Sequence, residues 1–458
     1  MANETPTSTF APGGRHRHRR TRQPGTAARR AVVLAMTVPV ASAALAGTSA
    51  FAAGKDTTAT AARGVATAGQ ANGLSADDAQ LVANLDARVL DQRLGTNVSG
   101  VVLDGDSKDA LWGRNATTAM MPASNAKLAT STAALTVLGP EHRFTTKVVY
   151  GHGTLTLVGG GDRTLTSDDL AELAKTAVAG LKAAGLTSVK VAVDDSLFAE
   201  PSLAEGWNEG YYPTEVAPVR ALVVDGHSVE DTSLDAGKVF AERLTAAGVT
   251  VDGDVTRATA HRRDVPVARH RSAPLSDIVK TMLKTSDNNI AETLLRATAV
   301  KAGRPATFEG GTEVVRQVLS HRYGVSLENF EMYDGSGLSR ADRIPAATLA
   351  QILELPTDPR HAHTLGAILE GLPVAGEAGA TLGPEWGRFD DPNSQCAVGK
   401  VRAKTGTLTG AVALSGLTRT EDGEWRVFSF IENGSTAAPG DIKDAMDGLA
   451  ATVNGCWA

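Results

Sequence analysis

The chain contains few of the residues that stabilise small secreted scaffolds or bind metal ions. Its 458 residues include two cysteines, Cys396 and Cys456, which are too few for a disulfide-rich scaffold or a four-thiolate zinc site. The ten histidines include no His-Glu-x-x-His pair, which removes the usual zinc peptidase arrangement. The sequence therefore predicts no metal site.

An excess of basic residues is also missing. Asp and Glu outnumber Lys and Arg by 51 to 45, and the N-terminal segment holds a disproportionate share of the arginines. An acidic protein body is a poor counter-ion for phosphate backbones, so nucleic acid is not expected as a partner. With 42% apolar and 21% charged residues, the chain can form a sizeable hydrophobic core.

A long uncharged run occurs at the N-terminus and at no later point. Arginines crowd residues 15–30, residues 31–52 carry no charge, and Ala50-Phe51-Ala52 has the small-x-small pattern of a signal peptidase site. We predict that residues 1–52 are a signal peptide, read by either the Sec or the twin-arginine route, and that the protein is exported, secreted or associated with the cell wall. The alternative is an uncleaved anchor, and we predict no other membrane contact.

Export changes the interpretation of the cysteines. Disulfides persist in oxidising compartments, so we predict a Cys396–Cys456 bond, with two free buried thiols as the alternative.

The pattern along the chain alternates between helix and strand. Residues 53–73, rich in Ala, Thr and Gly, indicate a flexible linker. Strand is predicted over 147–158, 188–194 and 220–224, helix over 167–185, and a polar, basic linker over 257–272. Three strands within 400–432 and a closing helix follow.

Ser124-Asn125-Ala126-Lys127 opens a predicted helix that ends at Leu138. Residues i and i+3 share a helix face, so the Lys127 amine lies within reach of the Ser124 hydroxyl. Serine needs an adjacent base to act as a nucleophile, and a lysine can be that base when it is partly neutral. Alone this spacing is weak, because a surface helix pair gives the same pattern.

Two further motifs follow in the chain. Ser286-Asp287-Asn288 lies between two predicted helices, where the serine can relay a proton and Asn288 can orient a substrate amide; an ordinary helix cap is the alternative. Lys404-Thr405-Gly406 lies in a predicted strand.

The Lys404-Thr405-Gly406 motif and the residue after it could contribute to a serine enzyme's site in three ways. Lys404 and Thr405 can bind a carboxylate, and Gly406 allows close approach to the strand edge. The main-chain N–H groups of Thr407 and Ser124 can form an oxyanion hole. A surface lysine in a strand is the alternative.

Together the three motifs match the set found in penicillin-recognising serine enzymes. The chain further resembles the low-molecular-mass class C penicillin-binding proteins, the D-alanyl-D-alanine carboxypeptidase/endopeptidases of peptidase family S13. The resemblance rests on the stretches around Ser124, Gly139-Pro140 and Asp162, and on Asp334-Gly-Ser-Gly-Leu-Ser-Arg340.

The resemblance implies an α+β, penicillin-binding transpeptidase/β-lactamase-like fold. In that fold an antiparallel sheet is flanked by helices, with a helical lobe and an inserted small α/β domain. We divide the chain into a transpeptidase-like first part at 74–150, an inserted domain at 151–270 and a second part at 271–458.

Two features of the predicted inserted domain need comment. Arg163 occupies the position where the family has proline. Trp207, Tyr211 and Tyr212 either line the substrate cleft or pack in the core of the inserted domain.

The resemblance also implies the function. We expect a serine-type D-Ala-D-Ala carboxypeptidase, with endopeptidase activity as an additional option, that acts on peptidoglycan stem peptides through a Ser124 acyl-enzyme. β-Lactam antibiotics would acylate the same serine as covalent inhibitors, and no cofactor is expected. The alternatives are a serine β-lactamase and a non-catalytic module that binds penicillin or cell-wall fragments.

Overall fold

The computed structural model describes residues 74–420 and 423–456, so the predicted signal peptide and the whole predicted linker lie outside the described residues. Ten α-helices lie within them: α1 Ala76–Arg88, α2 Lys127–Leu138, α3 Ser167–Ala183, α4 Thr232–Ala246, α5 Leu275–Thr285, α6 Asn288–Lys301, α7 Phe308–Gln317, α8 Ala346–Glu354, α9 Pro359–Gly371 and α10 Pro439–Val453. None of these helices is both long and apolar enough to cross a bilayer.

The strands of the described residues belong to three sheets. They are β1 Val98–Asp104, β2 Ala110–Arg114, β3 Ala119–Met120, β4 Thr145–Gly151, β5 Thr154–Val158, β6 Ser188–Asp194, β7 Thr250–Val251, β8 Thr256–Arg257, β9 Val265–Arg271, β10 Ile344–Pro345, β11 Arg402–Leu408, β12 Ala411–Arg419 and β13 Trp425–Asn433. The short β3 and β10 pair only with each other.

The main sheet is antiparallel and has the order β11-β12-β13-β1-β2. Because side chains alternate along a strand, Phe428 and Phe430 of β13 pack against α1 and α10, while Val427 and Ile431 face the helical lobe. The helical lobe contains α2, α5, α6, α7 and α9, and α8 packs between it and the sheet. This layering leaves β11 as an edge strand beside the lobe.

The second sheet lies between β3 and α5 in the chain. Its order is β7-β6-β5-β4-β9, with β8 also pairing with β6; the contacts of β6 are parallel and those of β4 are antiparallel. Helices α3 and α4 cover it through apolar side chains such as Leu173 and Phe240. The α+β fold class is as predicted.

Three details of this region differ from the sequence-based prediction. The strand predicted at 220–224 is wrong, because only Leu222 forms a bridge, to Asp162. The predicted linker at 257–272 contains β9, which is an edge strand; its polar residues are tolerated because that edge faces solvent. The boundaries set at 150/151 and 270/271 fall inside β4 and β9, which pair with each other.

Candidate active site

The Ser124 hydroxyl and the Lys127 amine are in direct contact. Ser124 lies in a 3-10 turn, Ala123–Ala126, and α2 begins at Lys127 rather than at Ser124. Lys127 Nζ is 2.9 Å from Ser124 Oγ, as the i, i+3 spacing predicts. The amine of Lys127 is therefore placed to exchange a proton with the serine.

Lys127 is fully buried, and burial shifts it towards the neutral amine. Nζ donates to Asn288 Oδ1 at 2.7 Å and to the Ser336 carbonyl at 2.7 Å, in addition to Ser124. Burial lowers the pKa of Lys127 to about 8, although nearby carboxyl groups, chiefly that of Asp334, oppose this effect. A lysine with this pKa is a competent general base near neutral pH.

The second motif lies at the junction of α5 and α6. Ser286 ends α5 with a left-handed backbone, φ 61°, and Asp287 caps α6 by accepting a hydrogen bond from Ile290 N–H. Asn288 accepts from Lys127 through Oδ1 and donates to the Glu215 carbonyl through Nδ2 at 3.0 Å. The helix cap and the site thus use different residues of one motif, and both ends of the Asn288 amide have partners.

Lys404 connects the edge strand to this junction. Its Nζ donates to Ser286 Oγ at 2.9 Å and to the Thr405 carbonyl at 2.8 Å, and the side chain is fully buried. Burial, together with the positive charges of Lys127 and Arg388, lowers the pKa of Lys404 well below its usual value. A substrate carboxylate beside Lys404 would supply the missing negative charge.

The rest of the third motif lies against the turn that carries Ser124. A Cβ on Gly406 would lie 2.7 Å from both the Pro122 carbonyl oxygen and Asn125 Nδ2, so glycine is required for this close approach. Thr405 Oγ1 donates to Thr381 Oγ1 at 2.8 Å. Thr407 is exposed and pairs with Val412 of β12. The three motifs therefore converge on one site.

A loop from Asp334 to Ser339 completes the surroundings of Lys127. Its Ser336 carbonyl holds Lys127, while the Asp334 carboxylate accepts from Gly337 and Ser339 N–H, each at 2.7 Å. Sequence reasoning used this run only as a family marker and assigned it no role. Two more residues were missed because no motif spacing gave a signal: Glu292, which accepts from the N–H groups of Gly335 and Ser336, and Thr381, which accepts from Thr405.

The aromatic cluster lies in the helical lobe. Trp207 Nε1 donates to Asp334 Oδ2 at 2.7 Å, and its ring makes edge contacts with Tyr211, Tyr212 and Phe308. These residues pack with the lobe core and not with the core beneath α3 and α4. The prediction that they pack within the inserted domain is therefore wrong.

The two cysteines are bonded to each other. Cys396 and Cys456 form a disulfide with their Cα atoms 6.1 Å apart, as predicted. Among residues 74–420 and 423–456, no group of three or more His, Cys, Asp and Glu side chains is arranged to hold a metal ion.

The fold and the three converging motifs define a penicillin-recognising serine enzyme. Penicillin-binding protein 4 (DacB) of Haemophilus influenzae has the same fold, with a TM-score of 0.67 at 24% identity over 81% of this chain and 98% of that one. The sequence model of the family described as "D-Ala-D-Ala carboxypeptidase 3 (S13) family" matches residues 81–230 and 226–453 of this chain.

Two relatives match most of the chain. The carboxypeptidase DacB of Mycolicibacterium smegmatis is 32% identical over 391 residues, covering 78% of this chain and 80% of the relative. The D-alanyl-D-alanine carboxypeptidase of Actinomadura sp. (strain R39) is 30% identical over 464 residues, covering 80% of this chain and 84% of the relative. The chain belongs to the S13 family of D-Ala-D-Ala carboxypeptidases, and it is an enzyme; the resemblance inferred from the motifs is confirmed.

Proposed function

We propose that this enzyme removes the terminal D-Ala from peptidoglycan stem peptides through an acyl-enzyme on Ser124. The observation that carries the proposal is the buried Lys127 amine, which contacts Ser124 and is held by two further acceptors from α6 and the Asp334 loop. An unshielded surface lysine would stay protonated, whereas this one can accept the serine proton.

Acylation begins with proton transfer from Ser124 Oγ to Lys127 Nζ. The oxygen then forms a bond to the carbonyl carbon of the D-Ala–D-Ala peptide bond. The N–H groups of Ser124 and Thr407 are the proposed donors to the developing oxyanion, where fixed donors lower the barrier most. Asn288 would orient the donor peptide, and for this its Nδ2 must exchange the Glu215 carbonyl for the substrate.

Breakdown of this intermediate releases the terminal D-Ala. The C–N bond breaks as the leaving amine takes the Ser286 hydroxyl proton; the proton that Lys127 took from Ser124 then passes through solvent to Ser286, so that Lys127 is neutral again and Lys404, which contacts Ser286, keeps its charge. The Lys404 ammonium and the Thr405 hydroxyl would bind the terminal carboxylate, with Gly406 leaving room for the peptide. Water then hydrolyses the ester, so every step uses groups of this chain and water.

The setting of the enzyme is part of the proposal. Residues 1–52 would direct export, since the stem peptides lie outside the cytoplasm, and residues 145–271 would form an inserted domain beside the cleft. β-Lactams, which one solved structure of H. influenzae penicillin-binding protein 4 contains, would acylate Ser124 in place of the substrate. Cleavage of cross-links is a further expected activity.

Release of D-Ala from a soluble peptide ending in D-Ala–D-Ala tests the proposal. We expect turnover by the wild-type enzyme, none by Ser124→Ala, and none when the last residue is L-Ala. Rapid penicillin hydrolysis without peptide turnover would favour the β-lactamase alternative. A folded protein that neither turns over peptide nor becomes acylated would be the binding module.

A further inference from the structure

Glu292 lies one helical turn beyond Asn288 in α6 and binds the loop that carries the Ser336 carbonyl. Its side chain is fully buried in the lobe. Oε1 accepts hydrogen bonds from Ser336 N–H at 2.7 Å and Gly335 N–H at 3.0 Å, and Oε2 is also 3.0 Å from Gly335 N. One carboxyl group therefore binds the peptide units that lead to the carbonyl holding Lys127.

The other polar groups of this loop are also occupied. The Gly335 carbonyl accepts from Thr130 Oγ1 at 2.7 Å, and the Ser336 carbonyl accepts from Lys127 at 2.7 Å. Asp334 accepts from Gly337 N–H on the far side of the loop. Glu292 binds the N–H of the same residue, Ser336, whose carbonyl holds Lys127, so a change at Glu292 is expected to displace that carbonyl.

We propose that Glu292 is a positioning residue for acylation: it fixes the Gly335–Ser336 peptide so that the Ser336 carbonyl holds Lys127 Nζ against Ser124. The inference rests on the proposed function and deepens it. Helix α6 then holds the amine at two points, directly through Asn288 and indirectly through Glu292. Glu292 touches neither Ser124 nor the expected substrate position.

The charges around the two groups give a second, independent effect. Lys127 faces the carboxyl groups of Asp287, Glu292 and Asp334 on one side, and the buried Lys404 lies near it on the other. Burial and the negative charge of Asp334 raise the pKa of Glu292 to about 8, while the guanidinium of Arg296 opposes this.

Asp342 adds a further carboxyl group to this cluster, and burial raises the pKa of Asp342 well above its usual value. Because the pKa values of Glu292 and Lys127 both lie near 8, Glu292 is partly ionised where Lys127 titrates, and its ionised form stabilises the protonated form of Lys127. Its removal should therefore let Lys127 lose its proton at lower pH.

Glu292→Gln tests both the positioning of the Ser336 carbonyl and the charge effect on Lys127, and its rate and pH profile would distinguish them from a general loss of stability. We would measure the second-order rate of penicillin acylation from pH 5.5 to 9.5, together with kcat and KM for the peptide. We expect the plateau acylation rate and kcat to fall by about ten- to a hundredfold with KM little changed. The midpoint of the acid limb should move to lower pH by about half a unit, because Glu292 is only partly ionised where Lys127 titrates.

Two variants serve as controls. Asp194→Asn removes another buried carboxylate, at the end of β6, that accepts main-chain N–H bonds from Ser196 and Ala260, and it should leave both the rate and the midpoint unchanged. Glu292→Asp keeps the charge and shortens the reach, so it should lower the rate and keep the wild-type midpoint. This variant also tests the proposal if Glu292→Gln does not fold, as judged by circular dichroism.

The outcomes distinguish this inference from the proposed function. Wild-type rates in folded Glu292→Gln or Glu292→Asp would overturn the positioning role while leaving the Ser124 mechanism intact. A lower rate with an unmoved midpoint in Glu292→Gln would overturn the electrostatic part. If wild-type protein forms no adduct at all, the proposed function fails and this inference fails with it.

Discussion

A single methyl group added at Gly337 should impair acylation by displacing the Asp334 loop. The Cβ of an alanine there would lie 1.9 Å from the Ala123 carbonyl oxygen and 2.5 Å from its carbon. Gly337 also has φ +80°, a conformation that L-residues rarely adopt. The residue directly before it, Ser336, carries the carbonyl that holds Lys127.

The size of the effect follows from these distances. A side-chain carbon needs roughly 3 Å from an oxygen, so the loop or the Ser124 turn must move by about 1 Å. A displacement of that size around a reacting group costs on the order of a hundredfold in rate. Overpacking adds about 1–3 kcal/mol of destabilisation to the ~1 kcal/mol that the positive φ costs.

Gly153→Ala is the matched control for Gly337→Ala. Gly153 has the same φ of +80°, and a Cβ there would meet nothing within 4 Å. Denaturant unfolding should show a loss of about 1 kcal/mol for Gly153→Ala and of about 2–4 kcal/mol for Gly337→Ala. Penicillin acylation, followed by intact mass, should be slowed only in Gly337→Ala. Equal acylation rates in the two folded variants would refute the close packing of loop and turn.

Three further predictions concern the lysines and the disulfide. Because the pKa of Lys127 is lowered to about 8, acylation should fall about tenfold per pH unit below that value, and a flat profile between pH 6 and 9 would contradict Lys127 as the base. Lys404→Met should abolish most peptide turnover yet keep or raise the melting temperature, because a buried ammonium costs free energy; a large drop in melting temperature would count against this. Replacing Cys396 and Cys456 by serine removes a disulfide that closes a loop of 60 residues, so the free energy of unfolding should fall by about 4 kcal/mol in a denaturant titration. Acylation should persist in this variant, as penicillin labelling would check.

The sequence was most informative where chemistry depends on local spacing. Ser124 and Lys127 are three residues apart, so helical geometry alone predicts their contact, and the 2.9 Å distance agrees. Lys404 and Ser286 meet only through the tertiary fold, and the family resemblance, not periodicity, brought them together in the prediction.

Contacts between residues far apart in the chain could not be predicted from sequence patterns. Glu292 is an acidic residue in a helix, and its binding to the Gly335–Ser336 peptide depends on how the Asp334 loop folds over α6. Strand β9 was missed because its apolar residues are few and its stability comes from pairing with β4, far away in the chain. The packing of Trp207 in the lobe core was not predicted for the same reason, since its partner Asp334 is distant in sequence.

The structure also connects burial to reactivity. Lys127 and Lys404 are both fully buried, and each has a lowered pKa for the same main reason, desolvation. The environments differ in charge: carboxyl groups oppose the effect at Lys127, whereas cations strengthen it at Lys404. One buried cleft can therefore hold a base for the serine and a site that gains a negative partner when the substrate carboxylate arrives.

A time course of intact mass after mixing the purified protein with penicillin tests the central claim most directly. The account predicts a persistent adduct of one penicillin per chain on the wild-type protein and no adduct on Ser124→Ala. A fleeting adduct with continuous hydrolysis of the drug would indicate a β-lactamase. A folded wild-type protein that never forms an adduct would contradict serine acylation at Ser124.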